Sequence, residues 1–249
     1  MEYDIVGGDV HVLQPAHPRL CDRFGAIDTA VIPALVDQAC SATALRSRDT
    51  YQPAATLDLR VDWIAPTLPG HGVAVRPRVI GATDATVLVA AEVVDADDRR
   101  LLATGIVTMA LGRLPGGKRA EIDAPVPDAG ALAVDRLDDY DSYLALAPVD
   151  GGMMLDPLPR HVGSVLVPAV HGGVVASALC RMADRLAAPG RRPVTLTTHY
   201  LRATMADAPS RLSGIAVKEG RSVSIVEARI GASGQPDRPT ATAIVTYAG

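Results

Sequence analysis

The chain of 249 residues is longer than a typical single domain and has room for two domains of ordinary size, each with its own core. With 48% hydrophobic residues, 21% charged residues and a formal net charge of -4, it is expected to be soluble and globular, without the basic excess that attracts nucleic acid or anionic lipid. No run of about 18 apolar residues predicts a membrane span, and the acidic N-terminal stretch is unlike a signal peptide, so we expect a cytoplasmic protein.

The three cysteines, Cys21, Cys40 and Cys180, are an odd number and lack CxxC spacing. This pattern predicts neither a disulfide framework nor a zinc site, and we expect reduced thiols. No cofactor and no metal ion is expected, and the natural partners of such a chain are small molecules.

The first half begins with an apolar stretch, residues 3–13, that is a candidate strand. Residues 27–46 then carry apolar side chains at helical spacing, with Val31, Leu35 and Ala39 on one face. Four segments rich in β-branched residues follow and predict strands, at 57–67, 72–82, 85–95 and 101–111.

The second half repeats this order after a break. Residues 114–138 combine proline, glycine and charge without periodicity, which predicts a linker between domains at 1–113 and 139–249. Residues 163–168 are a candidate first strand, and 170–186 have helical spacing. Four predicted strands come next, at 194–204, 210–220, 222–230 and 240–248.

The two halves are similar in sequence as well as in pattern. The offset is 143 residues between Asp28 and His171, 137 between Trp63 and Tyr200, and 138 between ATGIVTM (103–109) and ATAIVTY (241–247), which agree at five of seven positions. A nearly constant offset over successive segments indicates a tandem duplication.

The opening of the second helix, His171-Gly172-Gly173, is followed by THYLRAT (198–204) and EGRSVSIVEARI (219–230). In these motifs and their order the chain resembles the hotdog-fold thioesterases of the phenylacetate-pathway type. The resemblance covers both repeats. It implies an α+β fold of two tandem hotdog domains, each a long central helix wrapped by an antiparallel sheet, and an acyl-CoA thioesterase activity.

The motif of that family is divided between the two repeats. Its members have an acidic residue nine positions after the histidine, a position that Asp37 holds in the first repeat and Cys180 in the second. Conversely, the first repeat has Asp28, Thr29 and Ala30 where the second has His-Gly-Gly. Neither repeat carries the whole motif.

Helix geometry explains how a divided motif can still act. Thioester cleavage needs a group that attacks, or makes water attack, the carbonyl carbon, and a donor for the charge that develops on the oxygen. These two atoms are about 1.2 Å apart, whereas eight residues of helix span about 12 Å. One site therefore needs two antiparallel helices, and we predict an internal pseudo-dimer with one composite site, Asp37 facing the Gly172 amide. The other crossing, Thr29 with Cys180, is expected to be inactive.

Further candidates have supporting roles. His171 and Gly173 belong to the helix opening, and Ser41 lies one turn after Asp37, where it could orient water or the carboxylate. Three arginines are candidates for contacts with the phosphates of coenzyme A: Arg60, Arg202 and Arg221.

Two other functions stay open at this level. Asp156 and His161 have the spacing of an acid and a histidine in hotdog enoyl-CoA hydratases, although the residues around them differ from that signature. A non-catalytic acyl-CoA-binding hotdog protein is the other possibility, and the retained Asp37 argues against it. Because an internal pseudo-dimer leaves sheet faces and edges free, we expect two chains to associate as a homodimer.

Overall fold

The computed structural model describes residues 1–48, 53–112, 139–163, 167–235 and 237–249. Its three helices are α1 (Val31–Arg46), α2 (Tyr140–Leu144) and α3 (Gly172–Asp184). Its twelve strands are β1 (Glu2–Val6), β2 (Asp9–Gln14), β3 (Ala54–Trp63), β4 (Val73–Ala82), β5 (Thr86–Asp95), β6 (Leu101–Leu111), β7 (Leu146–Val149), β8 (Gly152–Leu155), β9 (Arg192–Tyr200), β10 (Ser210–Glu219), β11 (Val223–Ala232) and β12 (Ala241–Ala248).

Both halves have the predicted order of one long helix followed by four strands. The predicted fold class is confirmed, because each long helix packs against an antiparallel sheet. The predicted linker, 114–138, lies outside the described residues.

The candidate first strand of the second half, 163–168, includes 164–166, which lie outside the described residues. A hairpin, β7 with β8, occupies the place in the sheet that β1 and β2 have in the first half. The described residues of 163–168 belong to no strand of the sheet.

One continuous antiparallel sheet joins the two halves, in the order β1-β2-β4-β5-β6-β3-β9-β12-β11-β10-β8-β7. Its central pair is β3 with β9, where Arg60 lies opposite Thr197, Asp58 opposite His199 and Asp62 opposite Thr195. These pairings are symmetric about Arg60 and Thr197, which are equivalent in the two repeats. The register therefore places a pseudo-two-fold axis at the centre of the sheet.

The two long helices pack against each other and against the sheet. The start of α3 lies at the middle of α1, where a Cβ on Gly173 would come within 2.7 Å of the Ala34 Cα. The start of α1 lies near the end of α3, where Arg181 pairs with Asp28 at 2.9 Å. The helices are thus antiparallel, as the composite site requires.

Small residues allow this close packing. A Cβ on Gly105 of β6 would lie 2.5 Å from a methyl group of Val36, so only glycine lets the helix approach the strand here. The helix faces predicted to be apolar are buried, with Val36, Ala39, Ala178 and Leu179 essentially inaccessible to solvent.

Candidate active site

A cavity of about 630 Å³ opens where the start of α3 meets the middle of α1. Its walls come from α1, the first residues of β3, the segment 169–175 and the chain that leaves β9. We call it the first cavity. Its lining is mostly apolar, with a few polar groups that include Asp37, Ser41, Thr56 and His171.

Asp37 is the buried acid of the first cavity, with only 1% of its surface exposed. The Thr56 hydroxyl donates a hydrogen bond of 2.9 Å to its Oδ1 atom. Thr56 stands at a β-bulge of β3, where the register against β6 shifts between Thr56 and Asp58. The sequence analysis missed this residue, since a lone threonine in a strand carries no signal of its own.

The other oxygen of Asp37 faces the start of α3. A Cβ on Gly172 would lie 2.9 Å from Asp37 Oδ2 and 3.1 Å from Thr56 Oγ1. Position 172 therefore has space for glycine alone, and the structure brings Asp37 and Gly172, which the sequence analysis paired, close together.

His171 caps α3 and leaves this oxygen free. Its Nδ1 atom accepts a hydrogen bond of 3.1 Å from the Gly173 N–H and lies 3.3 Å from Asp37 Oδ2. An imidazole nitrogen that accepts from Gly173 carries no proton and cannot donate to the carboxylate as well. Among the described residues, Asp37 Oδ2 indeed has no hydrogen-bond partner.

The helix start supplies positive polarity at this oxygen. The first N–H groups of a helix have no intrahelical acceptor, and the helix dipole favours negative charge there. The Tyr200 hydroxyl donates a hydrogen bond of 2.7 Å to the Gly172 carbonyl and so fixes the orientation of that turn. Burial, followed by the nearby charge of Asp37, raises the pKa of Tyr200 well above its usual range, so the hydroxyl keeps its proton.

Two family models match the chain, one in each half. Residues 24–102 match the thioesterase superfamily, and residues 164–248 match the acyl-CoA thioesterase N-terminal domain. Each half is a hotdog domain and matches a thioesterase-type family model. No curated protein matches the sequence.

Solved structures share the tandem hotdog fold over almost the whole chain. The tesB protein from Mycobacterium avium subs paratuberculosis is 11% identical, with a TM-score of 0.69 over 99% of this chain and 95% of that one. The 12:0-ACP thioesterase from Umbellularia californica is also 11% identical, with a TM-score of 0.64 and coverage of 97% and 94%. An acyl-ACP thioesterase from Bacteroides thetaiotaomicron is 12% identical, with a TM-score of 0.59 and coverage of 95% and 96%.

The remaining predicted site residues fall into two groups. Ser41 and Arg202 line the first cavity. Ser41 makes no hydrogen bond to Asp37 within the described part of the chain, where Thr56 has that role instead. Arg60 is half-exposed and pairs with Asp62 at 2.8 Å, and neither Arg60 nor Arg221 lines the first cavity.

The pairing expected to be inactive, Thr29 with Cys180, also differs from the first in structure. Cys180 is fully buried, and burial, followed by the nearby Asp184, raises the pKa of its thiol well above the usual range. The thiol is therefore neutral and is no nucleophile. Thr29 lines a second cavity, of about 810 Å³, whose lining residues do not include Cys180.

The hydratase-like pair does not form a site. His161 is fully buried, its Nδ1 accepts from the Leu158 N–H at 3.2 Å, and its Nε2 donates to the Tyr143 carbonyl at 2.6 Å. Both ring nitrogens are thus engaged with backbone, and Asp156 is exposed. Neither residue lines the first or the second cavity.

One group of possible metal ligands occurs in the described ranges, away from both cavities: His71, Asp95 and Asp97. The carboxylate of Asp95 already accepts from the His71 ring and from the N–H groups of Asp97 and Asp98. These bonds close the turn between β5 and β6 and give the group a structural role. The described helices include none that is long and apolar enough to cross a membrane.

Proposed function

We propose that the protein hydrolyses acyl-CoA thioesters to the free acid and coenzyme A at the composite site in the first cavity. The observation that carries the proposal is Asp37 Oδ2, a buried carboxylate oxygen that faces the start of α3 and has no hydrogen-bond partner among the described residues. A buried polar group without a partner costs free energy, and such groups are frequent where chemistry is done. The family matches in both halves support a thioesterase.

The geometry suggests a role for each residue of the site. Asp37 Oδ2 either attacks the thioester carbonyl carbon or removes a proton from a water that attacks it, and both routes need the carboxylate in the same place. The Gly172 N–H stabilises the negative charge on the carbonyl oxygen, aided by the α3 dipole. Thr56 holds the other carboxylate oxygen, and His171 and Tyr200 hold the helix start.

The substrate class is proposed from the walls of the first cavity. Apolar residues such as Leu45, Leu57 and Met109 suit an acyl chain, and Arg202 stands where a phosphate of coenzyme A can be bound. The proposal that Arg60 and Arg221 also bind phosphate has no support from the first cavity. The assignment to the phenylacetate-pathway type rests on the His-Gly-Gly opening and its spacing to the acidic position.

The test is a hydrolysis screen over short, long, branched and aryl acyl-CoAs with detection of the free thiol. The Asp37→Asn variant keeps the shape of the side chain and removes its charge. We expect its kcat to fall at least about a hundredfold with little change in substrate binding. Hydrolysis at the wild-type rate in this variant would exclude Asp37 as the reacting group.

Cys180→Ala is the matched control at the equivalent position of the other repeat. Because the buried thiol is neutral and lines neither cavity, we expect activity close to wild type. A loss comparable to that of Asp37→Asn would instead make the thiol the nucleophile.

We further propose a homodimer of the tandem chain, in the cytoplasm. The outer face of the sheet exposes apolar side chains in both halves: Ile80, Ile106, Ile215, Val217 and Ile244. A second copy that covers this face would bury them. Light scattering at micromolar concentration tests the association, and a strict monomer would contradict it. The domain boundaries, 1–113 and 139–249 with a linker between them, stay a prediction.

A further inference from the structure

The second cavity is the pseudo-symmetric counterpart of the first. Its residues stand at repeat-equivalent positions: Trp63 for Tyr200, Asp184 for Ser41, Tyr247 for Met109, Ala188 for Leu45 and Ala65 for Arg202. No lining residue is common to the two cavities. The second half therefore has a cavity of about 810 Å³ at the equivalent place, although position 180 carries a cysteine and not an acid.

The helix start at the second cavity is unsuited to hydrolysis. Asp28 accepts a hydrogen bond of 2.9 Å from the Ala30 N–H and so places a carboxylate at the positive end of α1. In the first cavity the equivalent cap is the imidazole of His171. Asp28 is also paired with Arg181 at 2.9 Å, so its charge is largely compensated. Its carboxylate nevertheless occupies the positive end of α1, which leaves less of that polarity for the negative charge that a thioester oxygen would develop.

Two buried donors of the second cavity lack acceptors. Trp63 Nε1 and Arg191 Nη1 have no hydrogen-bond partner among the described residues. Both residues line the cavity, but these two atoms lie behind its surface, so a ligand reaches them only after a side-chain rotation. Leaving such a group unpaired costs about 1–3 kcal/mol. A ligand with acceptor oxygens would remove that cost.

The rest of the lining suits an apolar chain. Ile27, Ile32 and Leu102 contribute aliphatic side chains. The acid in the wall, Asp184, accepts a hydrogen bond of 2.7 Å from the Tyr247 hydroxyl, and Arg181 lies 3.8 Å away. Because the charge of Asp184 is paired, it does not prevent an anionic ligand from entering.

We propose that the second cavity binds an acyl ligand with an acceptor-rich head group and does not hydrolyse it. Side-chain rotation brings Trp63 Nε1 and Arg191 Nη1 to the cavity surface, where the acceptor oxygens of the head group pair with them, and the acyl chain lies on the aliphatic wall. The choice of ligand rests on the proposed function, because both the acyl-CoA substrate and the free acid product of that reaction have an acyl chain and an acceptor-rich head group.

Trp63 makes the test selective, because it is the only tryptophan in the sequence and it lines the second cavity alone. The probes are S-alkyl-CoA thioethers with chains from butyl to hexadecyl, the corresponding free acids, and coenzyme A alone. Added to the Asp37→Asn chain, a thioether or an acid is expected to change the tryptophan fluorescence saturably. Titration calorimetry with the thioether should give two bound molecules per chain. The probe class, thioether or free acid, that saturates the fluorescence change at the lower concentration identifies the natural ligand of the second cavity.

Equivalent substitutions in the two cavities provide the control. Ala188→Phe fills the second cavity and should weaken the fluorescence response at least tenfold while thioester hydrolysis stays within about twofold of wild type. Leu45→Phe fills the first cavity and should weaken thioester hydrolysis while the fluorescence response stays close to that of wild type. Ala65→Leu, on another wall of the second cavity, repeats the first test if Ala188→Phe does not fold.

Three results would overturn the inference. They are no fluorescence change with any probe, a stoichiometry of one that Leu45→Phe reduces to zero, and a fluorescence response that Leu45→Phe abolishes and Ala188→Phe preserves. Failure of the proposed function would look different, since a wild-type chain without hydrolytic activity that still shows the Trp63 response retains the second site.

Discussion

The contact between Gly173 and Ala34 sets the distance between the two helices, and Gly173→Ala probes it. The added Cβ would lie 2.7 Å from the Ala34 Cα, 3.0 Å from its carbonyl oxygen and 3.1 Å from the Asp37 Cβ. Ordinary contacts between carbon atoms are about 3.5–4.0 Å. The helices must therefore move apart by roughly 0.8 Å, and the atoms they would displace are backbone rather than a flexible side-chain end.

The magnitude follows from two opposing terms. Overpacking of this kind costs about 1–3 kcal/mol, and replacing a helical glycine by alanine returns at most about 1 kcal/mol. We expect Gly173→Ala to lower the free energy of unfolding by about 1–2 kcal/mol, which lowers Tm by roughly 2–8 °C in a chain of this size. Because the shift also separates Asp37 from the Gly172 amide, kcat/KM should fall by about a hundredfold.

Thermal unfolding and steady-state hydrolysis measure the two effects on the same preparations. Gly81→Ala is the matched control, since a Cβ at that position meets no atom within 4 Å. We expect this control to keep both the Tm and the kcat/KM of wild type. A Gly173→Ala chain with wild-type Tm and wild-type kcat/KM would refute the reasoning that the close helix contact positions the site.

Three further predictions use other parts of the structure. Thr56→Val removes the donor to Asp37 Oδ1 at nearly constant volume, and we expect kcat to fall about tenfold with KM little changed, whereas an unchanged kcat would deny Thr56 a positioning role. Burial raises the pKa of Asp184 to about 6, above its unfolded value of about 4, so its contribution to stability is present below pH 4 and lost as the pH rises through 6. Asp184→Asn should therefore raise the free energy of unfolding at pH 8 by about 1–2 kcal/mol and leave it nearly unchanged at pH 4. Chemical denaturation at both pH values measures the two changes, and an equal change at pH 4 and pH 8 would contradict the prediction. Half-chains 1–125 and 126–249 should each be inactive and regain activity when coexpressed, and an active N-terminal half alone would exclude the composite site.

The pairing of Asp37 with Gly172 could be predicted because it depends on two local facts, the helical spacing in each repeat and the offset between the repeats. Thr56 could not be predicted, since its contact with Asp37 depends on a β-bulge and on how a strand wraps the helix. The sequence also could not show which of the candidate arginines lies at the site. Arg60 and Arg202 look alike in sequence, and only their neighbours, Asp62 for one and the cavity for the other, distinguish them.

The sequence by itself determined the duplication, the order and type of the main elements, and the division of the motif between the repeats. Apolar periodicity and β-branched composition act over a few residues, so they are visible in the chain without its fold. The tertiary structure alone decided which oxygen of Asp37 is free, that a hairpin at 146–155 begins the second half of the sheet, and that the second crossing keeps a cavity with unpaired donors. These features arise where residues far apart in sequence are brought into contact, and whether a buried polar group has a partner depends on all of its neighbours at once.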